Sequence, residues 1–380
     1  MAKPLAVYLH IPFCRQKCGY CDFLSFAGRE DLFRPYLEAL VQEIRLLAGE
    51  RPPVATVYIG GGTPTLLSGE DLASLLQEVK AATWLDPAAE ITVEANPGTV
   101  TLEQLRVLRA AGVNRLSIGA QAGQDKFLRL LGRSHTAAQT GATVAAARAA
   151  GFTNINLDLI YGLPGQAVAE WRESLEWAVA LEPDHLSCYC LQLAPEVPLA
   201  KAIAAGHYRP VVEEEIVAMY YETLRILAQA GYEQYELANF ARKGYECRHN
   251  LFYWEYRDYL GLGLGSHSFL SGERRVNEED FPNYFAKVAA GEEPVAVREK
   301  IDAGRGMVEM VMLGLRLTKG LDAKEFFHRW RRDLRGFFSP RLEILLEKDF
   351  LRWEGDNCRL TPKGMLASNR VLVELLDVHL

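Results

Sequence analysis

The sequence has no long apolar run free of charged residues, so we expect no membrane-spanning helix. It also lacks an excess of basic residues, since 42 Lys and Arg against 49 Asp and Glu give a formal net charge of −7. That balance argues against a protein that coats nucleic acid by bulk electrostatics. The first residues reach Pro12 and Cys14 too soon to contain the apolar core and cleavage site of a signal peptide. We therefore expect a cytoplasmic protein.

Cysteine is scarce, with seven residues in 380, an odd number in a chain too long to need disulfides for its stability. Nevertheless, Cys14, Cys18 and Cys21 fall within eight residues of one another. This cluster predicts a metal site in a reducing compartment. Three thiolates on one short loop can ligate three irons of a [4Fe–4S] cluster, and the fourth iron is then open to a small molecule.

Zinc binding and a chance grouping of buried cysteines are the alternatives to an iron–sulfur cluster, and both stay open at this point. A zinc site usually takes paired Cys-x-x-Cys motifs. The sequence has no second Cys-x-x-Cys pair downstream, since Cys188 and Cys190 are separated by a single residue.

The first 235 or so residues alternate short apolar segments, typical of buried parallel strands, with amphipathic segments typical of helices. The predicted strands are 5–13, 55–60, 90–95, 115–120, 155–161 and 185–193. The predicted helices are 31–47, 71–82, 102–111, 137–150, 168–181 and 213–230. Ser68 and Thr101 are placed to cap two of them. Six such units predict an α/β fold, a partial (βα)6 parallel barrel two units short of the full eightfold form.

Three regions follow from this pattern. Residues 1–235 form the partial barrel. Residues 236–302, dominated at first by aromatics and glycines, are expected to be an irregular, partly extended connecting segment. Residues 303–380 contain predicted helices at 306–317, 323–332 and 340–348, a hairpin around Gly355 and a final helix. That order is typical of a small, mainly helical, winged-helix-like domain.

Polar residues and glycines occur where the predicted strands end. Gly60, Gly61 and Gly62 end the second strand, where the absence of Cβ atoms lets the backbone approach a ligand closely. Glu94 and Gln121 end the third and fourth strands, and Asp158 lies in the fifth. In a parallel barrel the carboxyl ends of the strands form the site. We therefore expect these side chains to line one ligand site.

The Cys-x-x-x-Cys-x-x-Cys motif, followed by Gly60-Gly-Gly-Thr-Pro-Thr65, resembles the radical-SAM superfamily. More narrowly, the chain is similar to the branch that contains oxygen-independent coproporphyrinogen III oxidase and its haem-chaperone relatives. The resemblance extends from residue 5 to about residue 370. The segments that carry it, besides the cysteines, are residues 8–14, 94–97, 116–121, 132–135, 158–164 and 248–254.

This resemblance implies that S-adenosylmethionine binds to the open iron through its amine and carboxylate. Gly61, Gly62 and Thr63 would meet the methionyl ammonium, and Arg133 suits the carboxylate as a planar bidentate donor. The full set of implied contacts is Tyr8, Gly61, Gly62, Thr63, Glu94, Gln121, Arg133 and Asp158. A reduced cluster would cleave the sulfonium bond to methionine and a 5′-deoxyadenosyl radical, chemistry that belongs to the cofactor.

Two departures from the oxidase pattern favour the haem-chaperone branch. Phe23 stands where the oxidase has a further cysteine, and only thirteen residues precede Cys14 where the oxidase has an extension. The motif His249-Asn-Leu-Phe-Tyr-Trp254 also matches that branch. His249 offers an imidazole to haem iron, and Tyr253 and Trp254 offer flat faces to the porphyrin.

Different roles for these aromatic and histidine residues stay open. Cys247 and His267 are rival ligands of haem iron. Alternatively, His249 only bonds to a carbonyl while Tyr253 and Trp254 pack the open edge of the barrel.

The sequence therefore predicts a haem-binding chaperone with a [4Fe–4S] cluster and S-adenosylmethionine. Its partners would be haem, haem-accepting apoproteins and, if the cluster is redox-active, an electron donor. One alternative is a coproporphyrinogen III dehydrogenase, which decarboxylates two propionate chains oxidatively. Another is a nucleic-acid-binding module, suggested by the basic run His328-Arg-Trp-Arg-Arg332. Glu325 and Asp333 dilute that run, so we do not expect nucleic acid as the partner.

Overall fold

A computed structural model of the protein describes residues 3–376. Its main element is a twelve-stranded sheet in which the strands lie in the order β12-β11-β10-β9-β1-β2-β3-β4-β5-β6-β8-β7. In chain order, β1 to β12 are Leu5–Ile11, Pro53–Gly61, Trp84–Ala95, Arg115–Gln121, Ile155–Tyr161, His185–Cys190, Glu233–Gln234, Asn239–Ala241, Tyr259–Leu262, His267–Leu270, Glu273–Asn277 and Val295–Lys300. Strands β1 to β6 pair with one another in parallel. The predicted partial barrel of six parallel βα units is thus confirmed.

Helices follow the barrel strands and cover the sheet. The helices α1 to α10 are Phe33–Leu46, Gly69–Ala82, Leu102–Ala111, Asp125–Leu130, Ala137–Ala149, Val168–Ala180, Pro198–Ala204, Glu213–Gln229, Arg248–Trp254 and Phe281–Ala289. Both predicted caps are present, because the Ser68 hydroxyl accepts from the Asp71 amide at 3.0 Å and Thr101 accepts from Gln104 at 3.2 Å. Four short or late helices, namely α4, α7, α9 and α10, were not predicted from the sequence.

Residues 236–302 contain five strands of the main sheet, where we expected an irregular, partly extended connection. Strand β9 pairs in parallel with β1, and β10 to β12 continue the sheet as antiparallel strands. Glu43 of α1 ties this segment to the barrel. Its buried carboxyl accepts from the Gly263 amide at 2.8 Å, Asn277 Nδ2 at 2.7 Å and the Tyr284 hydroxyl at 2.7 Å. Charged residues such as Arg274 and Arg275 obscured the strand pattern in the sequence.

The last part of the described chain forms a second hydrophobic core. Helices α11 to α16 are Ala303–Gly314, Ala323–Trp330, Leu334–Phe338, Arg341–Glu347, Pro362–Leu366 and Ser368–Leu376. A small antiparallel sheet joins β13 (Leu321–Asp322), β14 (Leu351–Glu354) and β15 (Asn357–Leu360). This order of helices, short strand and hairpin agrees with the predicted winged-helix-like architecture. Between residues 3 and 376, no helix has the length and apolar character needed to cross a membrane.

Candidate functional site

One cavity of about 900 Å³ opens at the carboxyl ends of the parallel strands. Its lining includes eleven of the residues singled out in the sequence, namely Cys14, Cys18, Cys21, Gly61, Gly62, Thr63, Glu94, Gln121, Arg133, Asp158 and Trp254. Tyr8, His249 and Tyr253 are not among its lining residues. The fold therefore brings the cysteine loop and four strand ends, far apart in the chain, to a single site.

The loop that carries the three cysteines is tied to two other elements. The Gly19 amide donates to Leu131 O at 3.1 Å, and Gly19 O accepts from the Leu199 amide at 2.8 Å. The Gln16 side-chain amide donates to Gly132 O at 3.2 Å. The loop is therefore held from both sides, and its geometry does not depend on the cysteines alone.

All three cysteines are free thiols and partly exposed. Arg133 Nη1 lies 3.6 Å from Cys18 Sγ, and the Thr63 hydroxyl lies 3.8 Å from Cys14 Sγ, so both can donate to a thiolate. Within residues 3–376, no three His, Cys, Asp or Glu side chains converge as the ligands of a single ion would. Each thiolate of an iron–sulfur cubane binds a different iron, so the cysteines need not converge on one point. The donor set and its neighbours fit a cluster.

Gly61 and Gly62 lie so close to neighbouring residues that neither position has room for a side chain. A Cβ atom on Gly62 would lie 2.4 Å from the Phe13 carbonyl oxygen and 3.0 Å from Cys14 Sγ. Gly61 has a φ of 114°, and a Cβ there would lie 2.5 Å from the His10 ring. The backbone at the end of β2 is thus packed directly against the loop, as the absence of side chains permits.

Glu94 holds the glycine backbone from the next strand. Its carboxylate accepts from the Gly61 amide at 3.0 Å and from the Tyr58 hydroxyl at 2.8 Å. Burial raises the pKa of Glu94 to about 7. A cationic ligand such as an ammonium would therefore bind more tightly to the ionised form, above that pH.

Asp158 lies at the centre of a hydrogen-bonded group across three strands. It accepts from Ser117 Oγ at 3.1 Å and from Asn156 Nδ2 at 2.9 Å. Burial raises the pKa of the Asp158 carboxyl, and the hydrogen bonds from Ser187, Asn156 and Ser117 oppose that rise.

Gln121, at the end of β4, is 9% exposed and has a positive φ of 64°. A positive φ is a strained backbone conformation for a residue other than glycine, and here it occurs where the strand ends at the cavity.

Asn96 is a site residue that was not assigned a role from the sequence. Arg133 Nη2 donates to Asn96 Oδ1 at 2.5 Å and to Gly119 O at 3.0 Å, and Asn96 Nδ2 donates to the Thr63 hydroxyl at 2.7 Å. Arg133 Nε has no partner within the described residues. Asn96 thus links the guanidinium to the glycine-rich turn. Its place in the segment Glu94-Ala-Asn-Pro97 was the available signal.

Tyr8 does not line the cavity and is connected through His10 to the chain that follows the cysteine loop. His10 Nε2 lies 2.9 Å from Leu24 O, so Nε2 donates and Nδ1 accepts from the Tyr8 hydroxyl at 3.0 Å. Burial lowers the pKa of His10, which keeps the imidazole neutral. The pair connects β1 to the chain that follows Cys21. Direct contact of Tyr8 with S-adenosylmethionine stays a prediction.

His249 is 1% exposed, and both of its ring nitrogens are engaged. Nδ1 lies 2.9 Å from the Thr56 hydroxyl, and Nε2 lies 2.8 Å from the Tyr253 hydroxyl. Burial lowers the pKa of His249 to about 3, so the ring is neutral at physiological pH. To ligate haem iron, this imidazole would have to give up one of these hydrogen bonds.

The two rival haem ligands lie elsewhere. Cys247 is fully buried and its thiol contacts the Glu90 carboxylate at 3.7 Å. His267 is exposed on β10 and is not among the cavity's lining residues.

Removing single polar groups from the strand ends should weaken S-adenosylmethionine binding. We expect Glu94→Ala, Gln121→Ala and Asp158→Ala each to raise the Kd about tenfold to a hundredfold, because a charged hydrogen bond in a closed site is worth about 1.5–3 kcal/mol. Calorimetric titration of the anaerobically reconstituted protein measures this, with iron content as the check that the cluster stays intact. In the wild type, the affinity should also rise as the pH increases through about 7, where Glu94 ionises.

The exposed Glu103 on α3, paired with Arg106, provides a matched control. Glu103→Ala should leave the Kd unchanged. Unchanged affinity in all three strand-end variants would mean that S-adenosylmethionine binds elsewhere.

Comparison with known families gives two matches. The family described as the radical SAM superfamily matches residues 8–178, and the HemN C-terminal domain matches residues 306–367. The first match spans the cysteine loop and strands β2 to β5, and the second spans most of the second core.

Known proteins similar over the whole chain fall into two groups. Proteins named haem chaperone HemW are 35% identical in Bacillus subtilis, covering 96% of this chain and 97% of that one, and 34% identical in Escherichia coli, covering 97% of each. The protein of that name from Mycobacterium tuberculosis is 38% identical, covering 98% of this chain and 95% of that one. The solved structure of the coproporphyrinogen III oxidase HemN of Escherichia coli has a TM-score of 0.85 at 26% identity, covering 98% of this chain and 90% of that one.

Proposed function

The chain belongs to the family of the haem chaperones HemW, and on this basis we propose that it binds haem and delivers it to acceptor proteins. The observation that carries the proposal is identity of 34–38% with proteins of that name over nearly the full length of the chain. The match to the radical SAM superfamily implies that a cluster and S-adenosylmethionine bind in the cavity as well.

The cofactors account for one part of the cavity. Cys14, Cys18 and Cys21 would hold the cluster, and Arg133 would take the carboxylate of S-adenosylmethionine. The turn 61–63, which Glu94 holds through the Gly61 amide, would meet its amine. When bound, the pair supplies one-electron chemistry. The residues of the chain would bind and orient these groups.

The remaining part of the cavity has the properties of a porphyrin site. A volume of about 900 Å³ lies near the upper end of the range of ligand cavities, roughly 300–1,000 Å³. Tyr189 and Trp254 line it with aromatic surface beyond the strand ends that serve the cofactors. We propose that haem lies there, next to the cluster, and leaves towards an acceptor protein.

We keep His249 as a candidate axial ligand, since a neutral imidazole is the form that binds iron. His249→Ala should then change the ligation spectrum of bound haem. If the spectrum is unchanged, the histidine has a structural role between Thr56 and Tyr253. Cys247 and His267 are the next candidates, and because neither lines the cavity, each would reach haem iron only after a rearrangement.

Haem loading of the anaerobically reconstituted protein tests the function. We expect a Soret band distinct from that of free haem, retained through gel filtration, and transfer of haem to an apoprotein faster than free haem reaches it. No conversion of coproporphyrinogen III should accompany binding. Loss of the band on gel filtration would refute the haem-binding proposal.

The second candidate is a coproporphyrinogen III dehydrogenase, favoured by the TM-score of 0.85 with the oxidase. Against it, Phe23 replaces a cysteine of the oxidase motif and is 64% exposed at the cavity. Stoichiometric formation of protoporphyrinogen with consumption of S-adenosylmethionine would establish this alternative.

We further propose a cytoplasmic location, because seven free cysteines, three of them partly exposed in one loop, suit a reducing compartment. An electron donor is expected if the cluster is redox-active. The basic run at 328–332 is assigned no nucleic-acid partner.

A further inference from the structure

A polar corner of the cavity lies outside the cofactor residues. It consists of Glu236, Asn239, Trp254 and Arg316, which come from three separate segments and all line the same cavity. No motif joins them in the sequence. None of the four belongs to the barrel strands that end at the cysteine loop, so the cofactors do not account for this polar corner.

Arg316 contributes a cation that the described residues do not neutralise directly. Its guanidinium carbon lies 5.6 Å from the centroid of the Trp254 ring. Burial lowers the pKa of Arg316, and the nearby Glu236 opposes that shift. Among residues 3–376, no carboxylate lies within ion-pair distance of this guanidinium, whereas Arg305 and Arg359 of the second core each pair with one. The guanidinium lies over the ring and lines the cavity, where its N–H groups can donate to a ligand.

Glu236 compensates for this charge only in part. It is 2% exposed and accepts from the Ala238 amide at 3.1 Å. Burial raises the pKa of Glu236 to about 7. Near neutral pH, a substantial fraction of this carboxyl is therefore uncharged and leaves the cation without a full counter-charge.

A second observation points to a missing polar partner at the same place. Asn239 is 3% exposed, yet its Oδ1 has no hydrogen-bond partner among the described residues. Buried polar atoms are nearly always paired in proteins, and an unpaired one commonly marks a bound group. Because Oδ1 is an acceptor, the group it lacks is a donor, such as a water molecule that bridges it to a ligand, and not a carboxylate itself.

We propose that Arg316, held over Trp254, binds a carboxylate of the ligand, and that for haem this carboxylate is a propionate. The inference rests on the proposed haem function and adds a recognition group to it. A guanidinium pairs with a carboxylate through two parallel hydrogen bonds, which fixes the orientation as well as the affinity. The porphyrin would thus have its charged edge at the polar corner.

Two ligands and a set of variants test this assignment. Haem and haem dimethyl ester, in which both propionates are esterified, are titrated into the full-length reconstituted protein. We expect Arg316→Gln to weaken haem binding about tenfold to a hundredfold and to leave the ester nearly unaffected. Arg316→Lys should recover part of the preference for haem over its ester, since the charge is kept. Iron content and S-adenosylmethionine affinity should be those of the wild type.

Controls separate the charge from the fold. Arg335→Gln removes an arginine that pairs with Glu343 outside the cavity, and should change neither ligand's affinity. Glu236→Gln should preserve or strengthen haem binding, because it removes the competing carboxyl. Equal loss of haem and ester in Arg316→Gln, or a loss in Glu236→Gln as large as that in Arg316→Gln, would overturn the assignment. If the wild type binds neither ligand, the proposed function itself is wrong.

Discussion

Replacing Cys14, Cys18 or Cys21 with Ala should reduce cluster iron from about four atoms per chain to nearly none after anaerobic reconstitution. In the predicted ligand set each thiolate would be the sole protein ligand of one iron, so that two remaining cysteines would not hold the cubane. The hydrogen bonds that Gly19 makes with Leu131 and Leu199 should keep the rest of the loop in place. Iron analysis and the spin signal of the reduced cluster measure the loss.

Cys190 provides a demanding control for this experiment. It is a partly exposed thiol that lines the same cavity, but we assign it no iron. Cys190→Ala, and likewise Cys358→Ala in the second core, should keep about four irons. A zinc ion that survives reconstitution with iron and sulfide, or a Cys190 variant that loses the cluster, would contradict the assignment of ligands.

Gly62→Ala should be nearly as damaging, although it removes no functional group. The added methyl would lie 2.4 Å from the Phe13 carbonyl oxygen and 3.0 Å from Cys14 Sγ. The oxygen belongs to the backbone and accepts from the Thr63 amide at 2.7 Å, so relief requires the loop to move. Overpacking of this kind costs about 1–3 kcal/mol. We expect S-adenosylmethionine affinity to fall about tenfold or more and iron incorporation to fall with it.

Gly49→Ala is the matched control, since no atom lies within 4 Å of a Cβ built at that position. Its iron content and S-adenosylmethionine affinity should equal those of the wild type. If Gly62→Ala binds both cofactors normally, the contact between β2 and the cysteine loop is looser than described, and the glycine-rich turn does not shape the site.

The barrel was predictable because its strands carry their own signal. Ile155–Tyr161 was predicted with its observed bounds, since it is an apolar run preceded by a glycine after one helix and followed by a second helix. The strand at Trp84–Ala95 was predicted only from Glu90, because Asp86 and Pro87 interrupt its apolar pattern. Motifs within one segment could also be identified from the sequence. The cysteine loop and the glycine turn were both predicted in this way, and both line the cavity.

Contacts between distant segments were not readable from the sequence. The sequence left His249 as either a haem ligand or a partner of a backbone carbonyl, whereas the fold places the hydroxyls of Thr56 and Tyr253 at its two nitrogens. Arg316 and Asn239 are isolated polar residues with no periodicity or motif around them. Only the packing of the second core against the sheet brings them to the cavity, so no local pattern could have identified them.

The parallel pairing of β1 with β9 has a consequence for synthesis on the ribosome. Leu9 lies opposite Leu262, so the first strand waits for a partner that is made about 250 residues later. At roughly 5–20 residues per second, one edge of β1 is without its neighbour for about 12–50 seconds. An unpaired apolar strand edge is a site of aggregation. The nascent chain therefore needs protection at its amino-terminal strand until residue 262 has left the ribosome.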